Sequence, residues 1–289
     1  MENLEKHGIL ALIEELYTSV PGNIITPEIA IDTSLAGLRM FDAPSVRFGS
    51  ADDPLFNEYK DPKAIGPWHM SPKEWLPGAR TVVSLFFPFS EEVRASNKGS
   101  AVWPSPGWLH GRIEGQAWLT LFMKTLRERL EDAGLAAVVP QQDPRWGQIR
   151  RGKGIEEFQG LDETVFGSRW SERHAAYVCG HGTFGLSRGL ITRSGVAGRF
   201  GSFITDAEIP PSPRAYSGLY DWCTRCGACI KRCPAHAISF EKGKEHIPCL
   251  SFLNETGKQF PPRYGCGKCQ TDVPCETCAP GLLRSGENT

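Results

Sequence analysis

Cys223-Thr-Arg-Cys226-Gly-Ala-Cys229-Ile-Lys-Arg-Cys233-Pro234 has the spacing C-x2-C-x2-C-x3-C-P. Three thiolates so close on one tight loop can reach three irons of a single 4Fe-4S cubane, while the fourth, a turn later, points toward a different cluster. Gly227 and Ala228 are small enough for the loop to close around inorganic sulfide, and Pro234 opens the next turn and sets the direction of Cys233. Zinc sites generally use two C-x2-C pairs rather than such a run. Cysteines this dense in a chain of 289 residues point to metal rather than to disulfides, given a reducing compartment.

A fourth cysteine that leaves for another cluster requires a second set. Cys249 stands alone in HIPCLSF, and Cys266-Gly-Lys-Cys269-Gln-Thr-Asp-Val-Pro-Cys275-Glu-Thr-Cys278 follows. The assignment is Cys223, Cys226, Cys229 and Cys275 for cluster one, and Cys233, Cys249, Cys266 and Cys269 for cluster two. Cys278 is the spare, an alternative to Cys275. Cys179 reads as a small buried apolar residue. The basic residues Arg225, Lys231, Arg232 and Lys268 are candidates for raising cluster potential, or for facing a redox partner.

Upstream the pattern is mixed α/β. Ile9, Leu10, Ile13, Leu16 and Tyr17 share a face at helical spacing over 5–17, and Trp118, Leu119, Phe122, Met123, Leu126 and Leu130 form a stripe over 115–133. TVVSLFF (81–87) reads as a buried strand stopped by Pro88, and AAVVP (136–140) as a short strand. SERHAAYV (171–178) reads as a helix, GLIT and SFITD as strands. The stretches 44–76 and 98–111 are rich in Pro, Gly and Trp; the second, KGSAVWPSPGWLHG, reads as a long irregular loop. PPSPR (210–214) reads as a linker, dividing the chain into 1–207 and 215–289.

Net charge is −1, which argues against a non-specific polyanion binder, so nucleic acid is not expected as a partner. The acidic residues of MENLEKHGILALIEELY do not suit a secretory signal, no twin-arginine pair precedes it, and no run reaches the length of a membrane span. The expectation is a cytoplasmic protein without membrane association.

The cysteine pattern resembles the C-terminal part of epoxyqueuosine reductases and the related reductive dehalogenases. The resemblance rests on the first run, the lone Cys249, and YGC-x2-CQ from Tyr264 to Gln270. It extends upstream through SERHAAYVCGHGTFGLSRGLIT and SFITD. It implies an α+β architecture: a nitroreductase-like α/β cobalamin-binding domain with a C-terminal ferredoxin-like module carrying two 4Fe-4S clusters. It also implies a base-off cobalamin, gripped around Gly180, His181, Gly182, Thr183, Phe184, Gly185 and Ser187, where glycines permit close backbone approach. The G-x-G-x-x-G at 180–185 follows a helix-like segment instead of a strand, so a dinucleotide fingerprint does not suit it. Two departures stand out. The position matching the proton-donor aspartate of epoxyqueuosine reductases is Gly167, and the chain ends soon after Cys278, where those enzymes often carry a helical-repeat tail for tRNA.

Candidate proton donors are therefore Asp162, Glu163, His110 and Tyr177, with His174 and His181 behind them. The expected function is electron passage through two clusters to cobalamin, for reductive chemistry on a small substrate. The alternatives are a non-catalytic electron carrier or corrinoid reductase serving a partner protein, and a ferredoxin module on a flavin-binding or cofactor-free domain. The expected donor is a low-potential ferredoxin or flavodoxin.

Overall fold

The strand Thr81–Pro88 is buried at every residue because it is covered on both faces. It sits inside a four-stranded antiparallel sheet in the order Ser45–Ser50, Thr81–Pro88, Gly198–Thr205, Ala137–Val138. The structure, a computed structural model, describes residues 2–284.

Alternate residues of the central strands face opposite layers. Val83, Leu85, Phe87 and Phe203 meet the helices Glu2–Ser19 and Pro106–Asp132, with Phe122 and Leu126 fully enclosed. Such an aromatic contributes several kcal/mol, and truncating Phe122 to alanine costs about 3–5 kcal/mol. On the opposite face Val82 and Ile204 pack against the helix Glu172–Val178 and a shell that includes Trp75 and Trp170. The protein is thus a mixed helix and strand fold with helices on both sides of one sheet.

The helix read over 115–133 begins earlier, at Pro106. Ser105 caps it by accepting the Trp108 N–H at 3.1 Å, and Pro106 occupies the first turn. The last six residues of the expected loop 98–111 are therefore helix, and Trp108 and Leu109 are core. The stretch 44–76 contributes the edge strand Ser45–Ser50. The segment 210–214 is pinned to that edge: Ser212 N–H donates to the Phe48 carbonyl at 2.8 Å, and its Oγ accepts the Phe48 N–H at 3.0 Å.

The cysteine-bearing segment then returns across the molecule. It holds a short turn of helix, Ala228–Lys231, a hairpin of Ile238–Ser239 with Gly243–Lys244, and the helix His246–Gln259, which carries Cys249 in its first turn. It is bonded to the sheet domain at separate places. Val196 N–H donates to the Cys275 carbonyl at 2.9 Å, and Trp222 N–H to the Thr183 hydroxyl at 2.9 Å. Arg263 pairs with Glu114 at 2.6 Å. Asn97 is a hub, donating to the Cys266 carbonyl and the Thr271 hydroxyl while accepting from Ser105 and Lys268.

Candidate metal centre

Two left-handed residues shape the first cysteine loop: Arg225 at φ 50° and Gly227 at φ 75°. A glycine accepts that conformation without strain, which explains Gly227 between the ligand positions. The second loop repeats the device with Gly267 at φ 70°, where a Cβ would lie 2.0 Å from the Trp108 ring. Both loops are thus wound tightly enough to turn their thiols inward.

The thiols fall into two groups. Cys223, Cys226, Cys229 and Cys275 line one cavity, walled on its other side by Gly185, Leu186 and Ser187. Cys233, Cys249, Cys266 and Cys269 line a second, of about 200 Å³, which reaches the sheet domain at Arg112 and Arg199. Burial pushes the Cys275 thiol up to about 12, reinforced by Cys229, Cys223 and Cys226. Burial likewise pushes Cys266 up to about 12, with Cys269, Cys249 and Cys233 adding to it. Thiols crowded and dehydrated in this way resist ionising on their own, and a cationic iron core supplies the missing countercharge. Cys278 lies outside both cavities and its thiol donates to the Pro274 carbonyl at 3.4 Å. Among the described residues no three His, Cys, Asp or Glu side chains close on one point as ligands of a single ion would. Four thiols spread round a cavity suit a polynuclear cluster, in which each sulfur takes its own iron.

The groups are neighbours. Leu186, Ala237 and Ile238 pack among Cys223 and Cys229 of one and Cys233, Cys249 and Cys269 of the other. Cys269 also raises the pKa of Cys229, behind burial.

Cations gather at the second group. Lys244 is held above its ordinary value first by Cys269, with Cys249 adding to this through charge and a hydrogen bond. Arg173, although its side chain reaches solvent, lies close enough to Cys269 and Cys249 for their sulfurs to favour its charged form. Lys268, buried, donates from Nζ to the Asn97 carbonyl at 2.7 Å, and burial takes its pKa down to about 8. Of the four basic residues singled out in the sequence, Lys268 is the one joined electrostatically to a cluster-two thiol; Arg225 lies over the Phe240 ring and Arg232 faces Asp272 at 3.5 Å.

The candidate proton donors are scattered. Asp162 is exposed and accepts from the Thr164 N–H and hydroxyl, which hold its carboxyl below the usual range. Glu163 is exposed and pairs with Arg151 at 2.7 Å. His110 is fully enclosed; its Nε2 accepts the Ile31 N–H at 3.0 Å, so Nδ1 carries the proton toward Glu114 at 3.1 Å. Tyr177 stacks among Phe184 and Tyr216. None of the four lines either cysteine cavity.

The stretch expected to grip a corrin is engaged within the chain. A Cβ on Gly180 would meet the Pro213 carbonyl at 2.9 Å, and one on Gly182 the Ile191 carbonyl at 1.9 Å. His181 donates from Nε2 to the Ser84 carbonyl at 2.9 Å, and Thr183 accepts from Trp222. Phe184 N–H donates to the Leu219 carbonyl at 2.9 Å. The glycines serve chain-on-chain packing here, while Gly185 and Ser187 border the first cysteine cavity. As folded, these residues do not present a face that fits a corrin.

A buried polar group went unread in the sequence. Glu172 lies beside Ser202, and burial pushes its carboxyl up to about 8. Its Oε2, Ser84 Oγ and both ring nitrogens of His69 are buried without partners. Trp170 ties them together, donating to Ser202 at 2.9 Å and stacking on His69. His69 sits in no motif, and Glu172, although inside the stretch SERHAAYV, reads only as part of a helix.

A family profile described as a 4Fe-4S binding domain matches residues 219–239, the first cysteine run. The protein is therefore an iron-sulfur redox protein. It is similar to the epoxyqueuosine reductase of Staphylococcus aureus, 24% identical over 213 residues, which are 70% of this chain and 50% of that one. The chain thus spans half the length of the curated relative it matches. In fold it is similar to an epoxyqueuosine reductase solved with an epoxyqueuosine-modified tRNA stem loop, at TM-score 0.50 and 16% identity over 93% of this chain and 66% of that one. A catabolic reductive dehalogenase matches at TM-score 0.50 and 15% identity, over 83% of this chain and 31% of its own. The resemblance read first from the cysteine spacing holds in sequence and fold for the epoxyqueuosine reductases, and in fold for the reductive dehalogenase. No helix among the described residues is long and apolar enough to cross a membrane.

Proposed function

We propose that the chain holds two 4Fe-4S clusters, on Cys223, Cys226, Cys229 and Cys275 and on Cys233, Cys249, Cys266 and Cys269, and conducts electrons from a low-potential donor toward the sheet domain. The observation that carries this reading is the sorting of eight thiols into two adjacent cavities, each bordered by four. The clusters, when bound, supply one-electron transfer. The chain's part is to dehydrate the sulfurs, to hold the two groups against a shared apolar plug around Leu186, and to place cations at the second.

The resemblance brings cobalamin as the acceptor, for reductive chemistry on a small substrate. Two versions are open: a base-off cobalamin held by this chain, or a corrinoid presented by a partner protein that this chain reduces. The engagement of Gly180, Gly182 and Thr183 with their own chain favours the second. No proton-transfer step is assigned, because the candidate donors lie away from both cavities.

The test is anaerobic reconstitution with iron, sulfide and hydroxocobalamin, followed by desalting. Iron and labile sulfide at about eight each per chain are expected. Retained cobalt near one per chain would restore the cobalamin enzyme; its loss with iron retained leaves the reductase of a partner. A colourless, iron-free product ends the proposal.

A further inference from the structure

The second cavity is lined by two cations as well as by its four thiols. Arg199, from the strand Gly198–Thr205, and Arg112, from the helix Pro106–Asp132, both line it. Arg199 donates from Nη2 to the Arg112 carbonyl at 3.3 Å. Arg112 donates from Nη2 to the Tyr264 hydroxyl at 3.1 Å, with its guanidinium over that ring at 4.7 Å. Among the described residues neither meets a carboxylate.

Holding like charges together at a half-buried wall is unfavourable, and an anion is what offsets it. Burial first, and then repulsion from Arg112, bring the pKa of Arg199 down to about 9. The negative charge of a cluster is an insufficient answer, because it is met by other residues. Arg173 and Lys244 respond to Cys269 and Cys249, whereas Arg199 responds to Arg112 and Tyr264 and to no thiol. Phe89 and Trp108 line the same cavity, their ring centroids 4.6 Å apart, so cationic and aromatic surfaces meet there.

We infer that Arg112 and Arg199 form a binding site for the oxyanion of a small molecule, a carboxylate or a phosphate, beside the second cysteine group. Guanidinium forks match both anions, and the aromatic flank suits a flat organic body. The site deepens the electron-transfer reading and rests on it, since a molecule held there lies next to cluster two. A cavity of about 200 Å³ that also holds four thiols restricts the ligand to a small one.

The experiment uses the reconstituted protein with both clusters loaded, titrated with sodium benzoate and, separately, with inorganic phosphate. Binding is read by calorimetry and by the EPR spectrum of the dithionite-reduced clusters. Saturable binding of at least one anion is expected, with a changed EPR signal. Benzoate alone would indicate a carboxylate on a ring, phosphate alone a phosphate ester. Arg199→Leu should weaken binding by about tenfold or more, and Arg199→Lys by less, since it keeps the charge and loses the fork. Arg112→Leu repeats the test from the helix, and iron content in each variant shows that the clusters remain. An iron-replete protein that binds neither anion saturably, or binding unaltered in both leucine variants, overturns the site. Failure of the unmodified chain to take up iron would overturn the two-cluster reading instead.

Discussion

The two cysteine groups have the same donors and opposite surroundings. In the first, Cys226 is exposed, and the thiols of Cys229 and Cys275 are perturbed by burial and by other cysteines, with no cation among the causes. Glu276, the residue after Cys275, is tied to Lys98 at 3.0 Å and Arg94 at 3.6 Å. In the second, Arg173, Lys244 and Lys268 stand against the sulfurs, and the cavity opens toward the sheet domain. Reduction adds one negative charge to a cluster, which nearby cations stabilise. The second site is therefore expected to have the higher potential, so that electrons entering at the exposed group run downhill toward the sheet.

The largest effect should come from removing ligands. Cys226→Ala and Cys266→Ala should each lower iron from about eight toward about four atoms per chain, read by iron and labile-sulfide assay. Full iron in either variant would dissolve the division into two groups. The Cys266 change should also lower the melting temperature more, because that side chain is half-buried whereas Cys226 is exposed.

A second test concerns the acid that precedes Arg173. Glu172 is held near 8 in the folded protein against 4.5 when free, so the unfolded chain releases its proton first as pH rises. Stability should fall between those values and level off above about 8, by at most about 5 kcal/mol. Glu172→Gln should flatten this slope in urea unfolding compared at about pH 5 and about pH 8. An unaltered slope would mean that another group causes it.

Next in size are the potentials. Lys244→Met or Arg173→Met should lower one of two midpoints, by on the order of 50 mV, in an EPR-monitored redox titration. Arg225→Met should move neither appreciably, since its guanidinium rests over Phe240. Equal shifts from all three would erase the contrast between the sites. Smallest of all is Cys278→Ser, which should leave iron content unchanged because this thiol lies outside both cavities.

The cysteine spacing made much of this readable, because ligand geometry constrains sequence locally. Thr81–Pro88 was equally plain, since a strand covered on both faces is apolar throughout. The start of the long helix was masked: Ser105 and Pro106 are ordinary start signals, but the surrounding Gly and Trp residues resemble a loop until Trp108 is seen against Phe89. The edge strand Ser45–Ser50 escaped because its burial is only partial. The charges around the second site were illegible for a deeper reason. Arg173 comes from a helix upstream and Lys244 from a small hairpin, and only the tertiary fold brings either to Cys269. In the glycine stretch 180–185 the close backbone approach that the sequence implies is made, at Gly180 and Gly182, to the same chain.

The pair of hydrogen bonds between Ser212 and Phe48 bears on how this molecule behaves in a crowded solution. A bare strand border is a template on which another polypeptide can add itself. Here the connector between the sheet and the cysteines lies along that border and occupies part of it, while the opposite border is a strand of only two residues, Ala137–Val138. Cross-β recruitment of a second molecule would first have to peel away the connector, so the tether that leads to the metal sites also guards the sheet against self-association.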